Sequence, residues 1–513
     1  MVILKSSMIS FLVFFTLTLF AWFFPLYLGT KGFVFFDMSI LIDGAWRILL
    51  GQVPYRDFSV LYGPLPFYMQ ALFLKIFKGQ LFSAVAHAAF MNVLATGLVF
   101  WTARKFLKSS LILSTGAGFL TALWFYAPLS WPWFDVTGAL FLLAALLFAW
   151  KGNPTFLVLS GVFCFMTWLC KANVGLVASL VVPVSLLFFI DDKNIFKKLK
   201  KNLFYFSLGY LCIAFLWILW ITSNHSLAGA FENLVIRPFA VKRFGRVFLF
   251  PTALSFYPPV VISLFFALQG IYLILNHKDD PQKRARYGMM MLLALSQLVC
   301  GGFSSMSVYA HQFYSGLLWL FLAFSIRDQA KFSVRYQNLF LFVTWVLLAQ
   351  MGWQVSLERK CWQYAQVRPE IPVATVNHPA FNHLTIPEPF AQELNQLFRW
   401  ADSELAPQDQ VVIFSTMNLL YEVWNKVPPH PFVFFVPGLS VYKELGDEER
   451  LIQALQEKKP LWVIMQKHEE VRGMTPQVLF EYFPNLFNTI LKEYSLHKNL
   501  DGFSIWKRNE SGG

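Results

Sequence analysis

The sequence predicts a mostly α, polytopic transmembrane helical bundle of about eleven spans, with interfacial helices in its first outer loop and a small C-terminal α/β domain. Three observations predict it. Hydrophobic residues make up 57% of the 513 residues, aromatics 18% and charged residues only 14%, well outside the composition of a soluble domain. Apolar runs of roughly 15 to 22 residues, about the thickness of a bilayer at 1.5 Å per residue, recur along the chain. From residue 356 onward the pattern changes to short β-rich runs alternating with amphipathic helices.

The runs fall near 8–28, 81–101, 110–127, 135–150, 155–170, 173–190, 202–222, 252–275, 287–301, 313–326 and 337–355. The first follows a lone Lys5 and lacks a small-x-small cleavage site, so it reads as an uncleaved span. The excess of 42 Lys and Arg over 29 Asp and Glu belongs to loops of a membrane protein, and nucleic acid is not an expected partner. Five cysteines are scattered, Cys164, Cys170, Cys212 and Cys300 in apolar runs and Cys361 beyond them. They outline neither a disulfide framework nor a zinc site.

Strict alternation puts the loops "ARKFLK", "DDKNIFKKLKK", "NHKDDPQKRARYG" and "RDQAKFSVR" on one side. Their density of Lys and Arg makes that side cytoplasmic, together with the N-terminus. The opposite side receives residues 29–80, the turns "YAPLSWPWFD" and "LCKANVG", residues 223–251, "GGFSSMSVYAHQFYSG" and the C-terminal domain, taken as 356–513. The expected setting is the plasma (bacterial inner) membrane, surrounded by its lipids.

Ionisable residues cluster on that outer side. They are Asp37, Asp43, Arg47, Arg56 and Asp57 in the first loop, Asp135 in the second and Lys171 in the third. Glu232, Arg237, Lys242, Arg243 and Arg246 lie in the fourth, and Tyr309, His311 and Tyr314 in the fifth. An ion or proton pathway would place such groups near the bilayer midplane, so this distribution favours binding or chemistry at the outer interface. Within the first loop, "MSILIDGAWRILL" with Gly51 as its stop and "PLPFYMQALFLKIFKG" read as two interfacial helices. Asp43 and Arg47, four residues apart, read as a helix-surface ion pair. Arg56 and Asp57 read equally as a local ion pair or as members of a site near Asp37. Lys171 reads equally as a snorkelling lysine, and His311 as a packing residue. In the C-terminal domain "VVIFS", "PLWVIM" and "FSIWKR" are expected strands and "PFAQELNQLFRWADSEL" an expected helix, with no metal or nucleophile signature.

An Asp just beyond the first span, a Gly later in the same loop, then "PYRDF" and "YGPLPFY" before an amphipathic segment resemble the first outer loop of GT-C glycosyltransferases. More narrowly they resemble bacterial relatives of protein O-mannosyltransferases and of the lipid A aminoarabinose transferase. "WFDVTGALFLLAALLFAW", "FMTWLCKANVGL" and "YAHQFYSGLLWLFLAF" follow in family order, so the similarity covers about residues 8–355. The resemblance implies transfer of a sugar from a polyprenyl-phosphate carrier to a glycan, lipid or protein acceptor on the outer face. It implies Asp37 as catalytic base, and Lys171, Arg237, Tyr309 and His311 as binders of the lipid phosphate, with Lys242, Arg243 and Arg246 behind them. Arg56, Asp57 and Asp135 are expected to support the site or the acceptor. Met38 stands where many relatives have a second acidic residue, so a divalent cation, Mg or Mn, would have to be shared between Asp37 and Asp135; Asp135 reads equally as a helix cap. A lipid-linked glycan polymerase or ligase shares this chemistry. A lipid or solute transporter would show inverted repeats, which the sequence lacks, and a scaffold would need none of the ordered Asp, Lys and His positions.

Overall fold

The computed structural model describes residues 2–31, 35–190, 194–244, 257–277, 279–303, 315–329, 333–358, 372–433, 435–436, 440–467 and 476–509. A helix coincides with each expected run: α1 (Val2–Gly29), α4 (Phe82–Lys105), α5 (Leu111–Trp124), α6 (Phe134–Lys151), α7 (Pro154–Cys170), α8 (Ala172–Phe189), α9 (Ile195–Ser223), α12 (Tyr257–Asn276), α13 (Pro281–Phe303), Ser315–Gln329 and Val334–Glu358. Six of these are long and apolar enough to cross a membrane by length and composition. The others fall short for physical reasons: α5 has 14 residues, about 21 Å against a hydrocarbon core of about 30 Å, and α13 opens with the basic "PQKRAR".

Caps set several ends. Asn153 accepts from Phe156 N at 2.9 Å with Pro154 following it, and Ser110 caps α5 through Leu113 N. Asp280 accepts from Gln282 N and Lys283 N, both at 3.0 Å, so α13 begins at Pro281, inside a stretch expected to be loop. The basic "IFKKLKK" expected as loop likewise forms the first turns of α9, because lysines on long stems are tolerated where a helix leaves the apolar region.

The chain forms two compact units. The first takes in Met1–Leu28, Ala88–Trp220 and Phe248–Cys361. In it α6 packs on α7 and α8, α13 on α8 and α12, and the helices Ser315–Gln329 and Val334–Glu358 on α5. Asn92 ties three of these helices together, donating Nδ2 to Ala21 O at 2.9 Å and Ala122 O at 3.0 Å while accepting from Tyr126 N at 3.1 Å. Where α7 crosses α9, a Cβ on Gly161 would strike Phe206 O and one on Gly209 would strike Val158 O. Two glycines therefore let the backbones touch, as small residues do between membrane helices.

The second unit takes in Gly29–His87, Ile221–Val247 and Trp362–Gly513. The sequence placed a boundary at 355/356; the last segment of this unit starts at Trp362, and the first loop and the 221–247 segment pack with it. The loop supplies α2 (Phe35–Leu49) and α3 (Leu65–Ile76), packed on each other, where two helices were expected; Gly51 (φ 83°) ends the first. The 221–247 segment supplies α10 (Leu227–Phe231), a π-helical turn Glu232–Ile236 and α11 (Arg237–Phe244).

The C-terminal segment forms a two-stranded ladder of β1 (Val373–Ala374) and β2 (Ile386–Pro387), the helix Glu388–Glu404, and a four-stranded sheet ordered β3-β4-β6-β5. Its strands are β3 (Val411–Phe414), β4 (Trp462–Gln466), β5 (Tyr494–Asn499) and β6 (Phe503–Arg508), with β3 parallel to β4 and the other pairings antiparallel. Val412, Phe414, Val463 and Met465 point one sheet face into a core with Leu451, Leu455, Leu486 and Ile490. β5 was not expected: "YSLHKN" is exposed after its first residue, so it shows no apolar alternation to read.

Candidate functional site

The two units hold different members of the expected site, and each is built separately. In the second unit Asp37 lies in the first turn of α2 and is 1% exposed. That position lies at the positive end of the helix dipole. One turn on, Ile40 lines a narrow cleft with Ser59, Val60, Leu61, Tyr62, Phe432, Val433 and Ser440. This cleft joins α2, the linker of residues 50–64 that leads from α2 to α3, and the C-terminal segment.

The linker owes its shape to a strained residue. Tyr55 is buried with φ 69°, a left-handed conformation a bulky residue rarely adopts. It is held by Tyr55 N donating to Phe58 O at 2.9 Å and by its hydroxyl donating to Tyr62 O at 2.7 Å. Gly229 backs onto it, since a Cβ there would collide with Tyr55 O. Ser59 then joins both neighbouring segments, donating its amide to Pro431 O at 2.6 Å and its hydroxyl to Asn233 Oδ1 at 2.5 Å. Next to Tyr55, Arg56 and Asp57 form a two-pronged pair, Nε to Oδ1 at 2.9 Å and Nη2 to Oδ2 at 2.8 Å, with Val53 N also donating to Asp57 at 2.7 Å. The guanidinium holds the Asp57 carboxyl below its ordinary range. At 41% and 30% exposure the pair is a local surface one.

Asp43 and Arg47 do pair, Nε to Oδ2 at 2.9 Å, but not on a helix surface: they are 0% and 1% exposed. The C-terminal segment covers them, and Arg47 donates Nη1 to His430 O at 2.9 Å and Nη2 to Phe432 O at 3.4 Å. Burial raises the Asp43 carboxyl to about 7 against the pull of Arg47. Burial likewise lowers His430 to about 3, leaving its ring neutral. The helical spacing announced this pair; nothing in the local pattern announced its cover, 383 positions away.

Arg237 requires a correction. Expected as a phosphate binder, it is fully buried and its five N–H donors are all taken. Nε and Nη2 donate to Glu232 Oε1 at 3.1 and 2.8 Å, Nη1 to Ser440 O at 3.1 Å and Asp447 Oδ2 at 2.9 Å, and Nη2 to Asp447 Oδ1 at 2.7 Å. Arg450 adds a second cation on Glu232 at 2.8 Å. Arg237 is therefore a cross-brace between the 221–247 segment and the C-terminal segment, with no donor left for a phosphate. Arg246, Tyr309, His311 and Tyr314, and the side chains of Lys242 and Arg243, lie outside the described residues.

In the first unit Asp135 occupies the first turn of α6, where Trp133 is the cap residue. Lys171 sits in extended conformation between α7 and α8. Lys171 Nζ donates to Asp135 Oδ2 at 2.6 Å, with the side chains 13% and 5% exposed. Asp135 is thus the counter-ion of Lys171 rather than a cap. Sequence reading found both residues but not the pair, which spans 36 positions and two helix junctions. Among the described residues no group of three or more His, Cys, Asp or Glu side chains is placed to hold a metal ion. Asp135 carries the Lys171 ammonium on Oδ2.

No family model matches the chain, and no curated protein matches it. Solved structures do. Crystal structures of ArnT from Cupriavidus metallidurans match over 98% of both chains. The form bound to undecaprenyl phosphate gives 13% identity and a TM-score of 0.50, and the apo form 12% and 0.51. At such identities the likeness shows the fold alone: this chain is a polytopic helical membrane protein with the architecture of those structures.

Proposed function

We propose that this protein is an integral membrane glycosyltransferase that moves a sugar from a polyprenyl-phosphate carrier to an acceptor on the extracytoplasmic face. The observation that carries this reading is the whole-chain likeness to ArnT crystallised with undecaprenyl phosphate. The resemblance of the first loop, reached from different evidence, supports it.

In the proposed reaction an acceptor hydroxyl attacks the anomeric carbon as the bond from that carbon to the phosphate oxygen breaks. The acceptor's proton passes to Asp37, and the lipid phosphate leaves with the electron pair. One displacement inverts the anomeric centre. A buried carboxylate at a helix start suits the base, since it needs no reorganisation by water. Lys171 is the proposed partner of the carrier phosphate. Asp135 holds its ammonium in place at 2.6 Å, and the start of α8 adds favourable potential. Arg56 and Asp57 are proposed to shape the linker rather than to touch the reacting atoms.

Mass spectrometry of lipid-linked sugars and envelope glycans from cells with and without the protein tests the reading. It predicts one accumulating polyprenyl-phosphate sugar beside a glycan, lipid or protein lacking that residue. Unchanged profiles in both pools would remove it.

A further inference from the structure

Three consecutive turns of α2 touch one stretch of the C-terminal segment, all within the second unit. Ile40 shares its cleft with Phe432 and Val433. Arg47 donates to the carbonyls of His430 and Phe432. Trp46 donates Nε1 to Lys426 O at 2.9 Å. Asp43 holds Arg47 Nε at 2.9 Å and so orients the guanidinium toward those carbonyls, while the Phe58 ring lies beneath it, 5.7 Å from the guanidinium carbon.

We propose that Arg47, oriented by Asp43, is a positioning residue for Asp37: it locks the far end of α2 onto the 426–433 segment and so fixes where the first turn presents its carboxylate. This rests on the reading of Asp37 as base. A helix is stiff, and Arg47 lies ten residues, about 15 Å, from Asp37 on the same rod. Rotation or sliding at one end is therefore transmitted to the other. Apolar packing alone tolerates small slips, whereas a buried guanidinium has only one arrangement in which its donors are satisfied. Misplacement by about 1 Å is enough to cost about 100-fold in rate. The C-terminal segment is then a working part of the transferase rather than an appended cap.

The test compares full-length wild type with Arg47→Met, Arg47→Lys and Trp46→Phe, measuring transfer per folded molecule and hydrogen exchange of peptides spanning 35–49. The expected result for Arg47→Met is kcat lowered about 10- to 100-fold with donor KM within about twofold. Arg47→Lys should recover part of the loss, Trp46→Phe should show a milder version, and exchange should quicken in 35–49 but not across the chain. A kcat within twofold of wild type in Arg47→Met overturns the proposal. Should that variant fail to accumulate folded, wild-type kcat in both Arg47→Lys and Trp46→Phe overturns it. If wild type transfers nothing, the functional reading falls and the exchange arm decides alone: unchanged protection of 35–49 in every variant refutes the lock.

Discussion

Arg237 and Asp447, 210 positions apart, meet as a fully buried two-pronged ion pair, with contacts of 2.7 and 2.9 Å. Removing one partner of such a pair strands the other charge without water, which costs about 3–5 kcal/mol. Arg237→Met should therefore lower the thermal stability of the detergent-solubilised protein sharply. The double variant Arg237→Met with Asp447→Leu should recover part of the loss. Donor binding by whatever folded Arg237→Met remains should be unchanged, because the guanidinium has no donor free for a phosphate.

Glu422 gives a pH signature. It is buried, its Oε2 has no hydrogen-bond partner among the described residues, and burial raises its carboxyl to about 8. With the folded value above the ordinary 4.5, the native state holds a proton that the unfolded chain releases. Its stabilising contribution is then full below about pH 4.5 and lost as pH rises through 8. Asp43, raised to about 7, acts with the same sign. Unfolding free energy should fall between pH 5 and 8.5, and Glu422→Gln should flatten that fall by an amount on the order of a few kcal/mol. A slope unchanged in Glu422→Gln would show that the carboxyl is not protonated in the fold.

Lys171 is separable from its counter-ion. If it binds the carrier phosphate, losing one charge-assisted hydrogen bond of about 1.5–3 kcal/mol weakens donor affinity about 10- to 150-fold. Lys171→Gln alone also leaves Asp135 stranded, so the informative variant is Lys171→Gln with Asp135→Asn. It should fold, bind donor correspondingly more weakly, and lose little in kcat at saturating donor. Wild-type donor affinity in that double variant would reduce the pair to a structural one.

The helices were legible because their signals are local. Apolar runs and the stop at Gly51 announce them within a few residues, and the strands "VVIFS", "PLWVIM" and "FSIWKR" are apolar enough to be read alone; Asp280–Pro281 starts a helix inside a stretch whose charge reads as loop. The site was legible only in its members. Asp37, Asp43, Arg47, Asp135, Lys171 and Arg237 stood out as charges in a charge-poor chain, but apart from Asp43 with Arg47 the pairings are set by tertiary packing. Arg237 illustrates the difference: an arginine in an outer loop suggests a phosphate ligand until Asp447 and Glu232 are seen to occupy it. The grouping of the first loop and the 221–247 segment with the C-terminal segment rests on contacts such as Ser59 with Pro431 and Asn233, at separations no periodicity encodes.

The central claim is that Asp37 accepts the acceptor's proton, and the most direct measurement is sugar transfer from a polyprenyl-phosphate donor by purified Asp37→Asn protein alongside donor binding by the same sample. The account predicts a loss of about 100- to 10,000-fold in kcat with donor affinity within twofold of wild type. Transfer at the wild-type rate in a folded, donor-binding Asp37→Asn protein would contradict it.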